Sequence, residues 1–398
     1  MKMISFEAAH KIIMDSARSF GQETIPLSRG IGRVLNEDWY TDRDLPPYDR
    51  VTMDGIAINY AGALGRDKLK VEGIVAAGDP QATLDDPGTC FEIMTGAVCP
   101  NGADTIVRYE DLSIEDGYAT IHIDLQKNKN IHWKGEDIKK NKLVVASGTQ
   151  LSPAEIGIGA SIGKSEIVVY RQPRTIIIST GDELVEIDET PAPHQIRRGN
   201  VYRMQATLNH LGLRVDTDHL HDQKEEIVLK LQQYLDVYDL IILSGGVSKG
   251  KYDYLPAALK ECGVRQHFHR VAQRPGKPLW FGTRDQGATV FALPGNPVSS
   301  FMCLQVYVLD WLSRCSGNRD NQHPVARLNG DILFKPDLTY FHEVQLNYSE
   351  EGEILATPQK GRGSGDLTNL TKADAFIRLP RGKDHFRKGE YYPLYIYR

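Results

Sequence analysis

The stretch Leu240–Leu255, LIILSGGVSKGKYDYL, decides the fold. Its apolar, branched opening reads as a strand buried on both faces. The strand stops at Ser244-Gly245-Gly246-Val247-Ser248, which has little bulk to pack and several free backbone N–H groups. Asp253 follows, ahead of the helical-looking PAALKEC. A strand, a small-residue loop and a carboxylate can hold a phosphate and its metal ion. The same letters also suit a plain tight turn between strand and helix.

On either side of this stretch, strands and helices alternate over residues 173–318. RTIIIST (174–180) reads as a strand running into Gly181-Asp182-Glu183. Asn200 is placed to cap a helix whose apolar positions are Val201, Met204, Leu208 and Leu211. RVDTDHL (214–220) is a second strand, and Ile227, Leu231 and Leu235 mark another helical face. PLWFG and TVFALPGNP are further strands, the latter feeding the apolar helix VSSFMCLQVYVLDWL. This alternation predicts an α/β multidomain protein whose central parallel sheet carries helices on both faces. Ligands of such sheets sit beyond the carboxyl ends of the strands.

The flanks differ in texture. Residues 46–137 carry short alternating strands such as FEIMT, DTIVRYE and YATIHID, broken by Gly, Pro and Asp, which predicts a β-rich insertion. It interrupts a helical and extended segment formed by residues 1–45 together with 138–172. Residues 319–398 turn β-like again in EVQLNY, AFIRLP and YYPLYIY, and a small C-terminal β-barrel is expected.

A chain of 398 residues exceeds what one hydrophobic core usually organises. Its 41% hydrophobic and 25% charged residues are ordinary for soluble protein, and a net charge of -5 disfavours broad nucleic-acid binding. Five scattered cysteines, odd in number and without metal-type pairing, suit reduced thiols in the cytoplasm. The N-terminal MKMISFEAAHKIIMDSARSF reads as an amphipathic helix rather than a secretory signal. No segment approaches the roughly 20 apolar residues that cross a bilayer.

The strand ends of the α/β unit carry the chemistry. One ends in STGDE, with Thr180, Gly181, Asp182 and Glu183, and another in DHLHD, with Asp222. A third ends in the Ser244–Ser248 loop followed by Asp253, and a fourth in LPGNPVS, with Pro294, Gly295, Asn296 and Ser299. Singly, acids cap helices and glycines turn chains; four such ends on one sheet edge predict a phosphate held with Mg²⁺, which prefers hard oxygen ligands. RPGKP adds Arg274 and Lys277 in a proline-limited frame suited to a tetrahedral oxyanion. Upstream, Asp54 precedes Gly55 in a turn, and WKGEDIKKNK offers Glu136 and Asp137. GIGASIG (157–163) nearly spells a dinucleotide fingerprint, but it follows a helix-like run, so close packing through small residues is expected. His219 and His221, like His267 and His269, share a strand face without a third metal ligand and read as structural.

Taken together, YDRVTMDGIAI, IMTGAVCPNGADTIVRYED, KGEDIKKNKLVVASGTQLSPAEIGIGASIG, STGDELV, SGGVSKGKYDYL, RPGKPLWFG and LPGNPVSSF resemble the molybdopterin molybdenumtransferases, the MoeA/gephyrin group. The motifs occur in that family's order over nearly the whole chain. The resemblance implies a homodimer of four-domain subunits that cleaves adenylated molybdopterin, releases AMP and inserts molybdate, with Mg²⁺ required. It implies that Asp182, Glu183, Asp222 and Asp253 line the pterin-nucleotide and metal pocket, with Glu183, Asp222 and Asp253 as metal ligands. Gly245, Gly246 and Ser248 would cradle phosphate beside Ser244, while Arg274, Lys277 and Ser299 would bind the oxyanion. Asp54 and Asp137 would complete the reacting centre across the dimer, and Ser364 would come from the C-terminal domain. The molybdopterin adenylyltransferase and molybdoenzyme-maturation proteins are the implied partners.

The chain departs from the family pattern at Arg198-Gly199, where an acid and a serine are usual, and at Lys249 and Lys251 in the glycine loop. Arg274 replaces a lysine, and Glu343 stands where an arginine is common. These departures favour the alternative of a non-catalytic pterin-binding paralogue acting as carrier or scaffold. The retained Asp54, Asp137, Asp182, Asp222, Asp253 and Lys277 favour the enzyme.

Overall fold

The computed structural model describes residues 3–247, 254–285, 287–317, 323–361, 363 and 365–398. Ser248, Lys249, Lys251, Asp253 and Ser364 lie outside the described residues.

The central layer is a six-stranded sheet. Reading across it, the strands are Val215–Leu220, Thr175–Thr180, Leu240–Ser244, Thr289–Leu293, Trp280–Thr283 and Arg265–His269. The middle strands TIIIST, LIILS and TVFAL are buried at every residue, the pattern of strands covered on both sides. Their side chains alternate between two cores. Ile177, Leu240, Ile242, Phe291 and Leu293 face one, and Ile176, Ile178, Ile241, Leu243 and Val290 face the other. The second core is closed by the helix Lys224–Val237 through Ile227, Leu231 and Leu235, one residue per helical turn, and by Leu255–Glu261. The first is closed by Gly199–His210 and by a long helical run. That run is α-helical over Pro297–Cys303, passes through a π-helical segment at Leu304–Val308 and resumes at Leu309–Cys315.

Two placements differ from the sequence expectation. The sheet is mixed rather than wholly parallel: the first four strands run parallel, but Trp280–Thr283 is antiparallel to both neighbours. It enters from the short connection after Arg265–His269, which leaves no room for a crossover helix. The helix Phe6–Asp15, expected with the 138–172 segment, packs instead into the first α/β core through Phe6, Ala9 and Ile13. His10 and Ser16 bond to Asp310 and Trp311 of the long helix. Phe6 also meets Tyr307 and Phe341, so aromatic area decides where this helix is stable.

Upstream, six strands between Gly55 and Ile121 form their own sheet around two small cores. Gln22–Pro26 pairs with Glu166–Tyr170, and Trp39–Tyr40 with Leu143–Val145. The helix Pro153–Ser161 starts on a capping box of Ser152 and Glu155, worth about 1 kcal/mol. Its Gly159 is close-packed, since a Cβ there would lie 2.9 Å from Leu27 and 3.0 Å from the Trp39 ring. Near the C-terminus, the strands Thr339–Tyr348, Ile354–Pro358, Val325–Leu328, Tyr391–Ile396 and Ala375–Leu379 close on themselves as a five-stranded barrel. The short strand Gln273–Arg274 pairs in parallel with Thr339 and Tyr340, stitching the RPGKP loop to that barrel.

Candidate functional site

The parallel register aligns four strand ends. Thr180 lies beside Leu220, Ser179 beside Ser244, and Ser244 beside Leu293. The loops leaving them therefore open into one cleft of about 870 Å³. Thr180, Gly181, Glu183, Asp222, Ser244, Gly245, Gly246, Pro294, Gly295 and Asn296 all line it. Gly181, Gly245 and Gly246 have φ of +129°, +103° and +66°, conformations that L side chains rarely adopt. The N–H groups of Gly181 and Gly245 donate to the Leu220 and Leu293 carbonyls at 3.3 and 3.1 Å, so it is the Gly246 amide that this loop presents without a side chain in front of it. Gly245 and Gly295 stand side by side: a Cβ on Gly295 would sit in ordinary contact, 3.7 Å from the Gly245 Cα. Buried at this edge, the Thr180 hydroxyl has no hydrogen-bond partner among the described residues, and a ligand oxygen would satisfy it.

Several site features were not read from the letters. The helix begins at Gly199, and Asn200 does not cap it. Its side-chain amide donates to the Gly295 carbonyl at 2.7 Å and reaches the Ser244 hydroxyl at 3.4 Å, bracing two loops together. Arg203 likewise donates to the Pro297 carbonyl at 2.9 Å. Gly365 and Leu367, in a loop of the barrel region, supply a wall. A polar residue in the first turn of a helix that opens on a strand-end cleft was the available signal. Arg198, a cation where an acid is usual in the family, lines the cleft but is buried and pairs with Glu186, and it donates to the Asp218 carbonyl at 2.9 Å. An acid twelve residues upstream absorbs its charge.

Asp182 is placed at the cleft edge but is absent from its lining. It accepts from the Asp222 backbone N–H at 3.2 Å and lies 3.0 Å from His221 Nδ1; the amide bond leads in holding its carboxyl below the usual range. Asp182 thus orients the loop that carries Asp222. His219 is paired to the Ser179 hydroxyl at 2.9 Å, and burial lowers its basicity, consistent with a structural role.

A second pocket of about 520 Å³ adjoins the first, sharing Pro278 and Asn296 with it. Arg274, Lys277 and Ser299 line this one and not the cleft. The loop is held firmly: Gln273 is fully buried, donates to the Gly276 carbonyl at 3.0 Å and accepts from the Tyr307 hydroxyl. The Val271 N–H donates to the Lys277 carbonyl at 3.0 Å. The Arg274 guanidinium lies 5.8 Å over the Phe334 ring. Neither Arg274 nor Lys277 has an ion-pair partner among the described residues. The barrel contributes Tyr340, His342 and Glu343 to this pocket, none of which the sequence reading assigned to a site beyond marking Glu343 as a departure.

Asp54 and Asp137, expected at the reacting centre, line neither pocket within the single chain. Asp54 accepts the Thr95 N–H at 2.6 Å, a bond that keeps its carboxyl ionised to lower pH than usual. Asp137 lies 3.0 Å from His132 Nε2. Both belong to the 46–137 region, whose sheet is separate from the cleft.

Three family models match the chain in order. The MoeA N-terminal region (domain I and II) covers residues 4–163, a probable molybdopterin binding domain 176–314, and the MoeA C-terminal region (domain IV) 325–396. A molybdopterin molybdenumtransferase of Synechocystis is 40% identical over 99% of this chain and 100% of its own length. The chain belongs to the molybdopterin molybdenumtransferase family. A family member from Staphylococcus epidermidis is 29% identical, covering 97% of this chain and 94% of its own. The solved structure of a molybdopterin biosynthesis MoeA protein from Pyrococcus horikoshii superimposes with a TM-score of 0.83 at 27% identity, over the whole of both chains. Within the molybdenumtransferase framework, the cleft falls wholly in the segment matched by the molybdopterin-binding model, apart from Gly365 and Leu367.

Proposed function

We propose that this chain is a molybdopterin molybdenumtransferase that cleaves adenylated molybdopterin and inserts molybdate, releasing AMP. The observation carrying this reading is the pair of adjoining pockets, one lined by strand-end glycines with Glu183, Asp222, Arg197, Arg198 and Arg203, the other by two cations without an ion-pair partner among the described residues. The amides of Gly246 and Gly295 suit the phosphoanhydride, and Arg274 and Lys277 suit the molybdate dianion. In this reading an oxygen of molybdate or water attacks the anhydride phosphorus in line. The new P–O bond forms as the bridging bond breaks, and fixed amides and cations offset the charge growing on the leaving oxygens.

Glu183 and Asp222 place two carboxylates on the cleft wall. Mg²⁺ is commonly held by one or two carboxylates plus substrate phosphates, so this donor set fits it. Mg²⁺ bound there would neutralise phosphate charge. Asp253 is proposed as a further ligand. Asp54 and Asp137 are proposed to reach the cleft of a second copy in a homodimer. Support for a dimer comes from Tyr40 and Leu143, cross-strand neighbours that are both about half exposed. The four-domain division is part of the same proposal and is supported by the separate sheets along the chain. A cytoplasmic setting is supported by five free, buried cysteines. Among the described residues no helix is long and apolar enough to cross a membrane.

Purified protein given adenylated molybdopterin, molybdate and Mg²⁺ is expected to release AMP, with all three required. Tight binding of the pterin nucleotide without AMP release would contradict the enzymatic reading and leave the carrier.

A further inference from the structure

The second pocket contains a contradiction in charge. Among the described residues, Arg274 and Lys277 are exposed at its wall without anionic partners, yet Glu343 lines the same pocket at 8% exposure with no cation within ion-pair distance. Its carboxyl is met by the Asn369 side-chain amide at 3.4 Å. An ionised carboxylate here would repel the dianion that the two cations attract. A neutral carboxylic acid would instead donate to it.

We propose that Glu343 is a proton-operated gate on oxyanion capture: as the neutral acid it completes the molybdate pocket, and once ionised it expels the dianion. This rests on the reading of that pocket as the molybdate site. Capture then takes up one proton from solvent, which stays on the Glu343 carboxyl and is released when the dianion leaves.

Burial raises the pKa of Glu343 and outweighs the Asn369 amide, which favours the ionised form, so the neutral acid persists to higher pH than for an ordinary glutamate. The other groups that face it do not gate the pocket this way. On its own strand, burial depresses His342 to about 4, and its Nδ1 lies 2.8 Å from the Tyr340 hydroxyl. Burial raises both Tyr340 and Tyr397, keeping these phenols neutral. Asn369 does not titrate. The sign follows: affinity is full while Glu343 is protonated and falls as pH rises through its pKa, because the unliganded protein then has to regain a proton to bind.

Calorimetric titration of the full chain with inorganic molybdate, at several pH values and in buffers of different ionisation enthalpy, tests this. The wild-type affinity is expected to fall by about tenfold per pH unit above the Glu343 pKa, with up to about one proton taken up. Glu343→Gln is expected to hold the low-pH affinity throughout and to lose that uptake. Equal pH slopes in the two proteins would overturn the gate while leaving the pocket assignment standing. Lys277→Ala separates the two ideas: undiminished molybdate binding in that variant would mean the pocket is not the oxyanion site, and the gate would fall with it. Failure of AMP release alongside intact proton-linked binding would remove the enzymatic reading and support the gate.

Discussion

Asp222→Asn is expected to reduce AMP release by about 10²–10³-fold, the scale seen when one preorganised electrostatic contact is lost. Asp222 is half-buried on the cleft wall, and its loop is held by its own N–H donating to Asp182. Asparagine keeps the size of the side chain and leaves that backbone bond in place, so thermal stability should change by no more than about 0.5 kcal/mol. Because the carboxylate is proposed to hold Mg²⁺, the concentration of Mg²⁺ needed for half-maximal rate should rise in the variant. Steady-state AMP release over a Mg²⁺ series, run beside a thermal melt, measures both. Comparable losses of rate and stability would assign Asp222 a structural role.

Gly245→Ala is expected to lose both stability and activity, and Gly295→Ala activity alone. At Gly245 a Cβ would lie 3.0 Å from the Thr180 carbonyl, and φ is +103°. Neither backbone can yield cheaply, so about 1–3 kcal/mol of stability should go. At Gly295 the added methyl meets only ordinary contact, 3.7 Å from the Gly245 Cα, and φ is outside the left-handed region. The fold should therefore tolerate it. Yet this methyl occupies the gap between the two glycine loops, where the phosphoanhydride is placed, and nucleotide affinity should fall by about tenfold, some 1.4 kcal/mol. Denaturant unfolding and fluorescence titration with the pterin nucleotide separate the two cases. Unchanged affinity in Gly295→Ala would move the phosphate away from that gap.

Much of the α/β unit was legible because its signals are local. TIIIST, LIILS and TVFAL are apolar runs ended by Gly or Pro, and Ile227, Leu231 and Leu235 repeat at helical spacing. Strand direction is not a local signal. Trp280–Thr283 has the composition of any buried strand, and only the short connection before it makes it antiparallel. The attachment of Phe6–Asp15 was hidden for a similar reason: its apolar stripe shows that it packs but not on what. Glycine and proline motifs marked both pockets, because cradles need missing side chains and fixed loops need rings. Which motif belongs to which pocket depends on the turn at Lys277–Pro278 and on Gln273 anchoring that loop to the barrel strand. The fate of Arg198 depends on a partner, Glu186, that sequence proximity does not single out. Asn200 looked like a cap because Asn at a helix start usually is one. Here the helix begins one residue earlier, and the side chain braces the Gly295 loop.

The account turns on two adjoining pockets dividing one reaction between an anhydride and a metal oxyanion. Anomalous scattering from a crystal soaked in molybdate, recorded at the molybdenum absorption edge, addresses that division directly. The predicted result is a single strong peak between Arg274, Lys277 and Ser299, next to an empty or nucleotide-filled glycine cleft. A peak among Gly181, Gly245 and Gly295, with none beside Lys277, would contradict it.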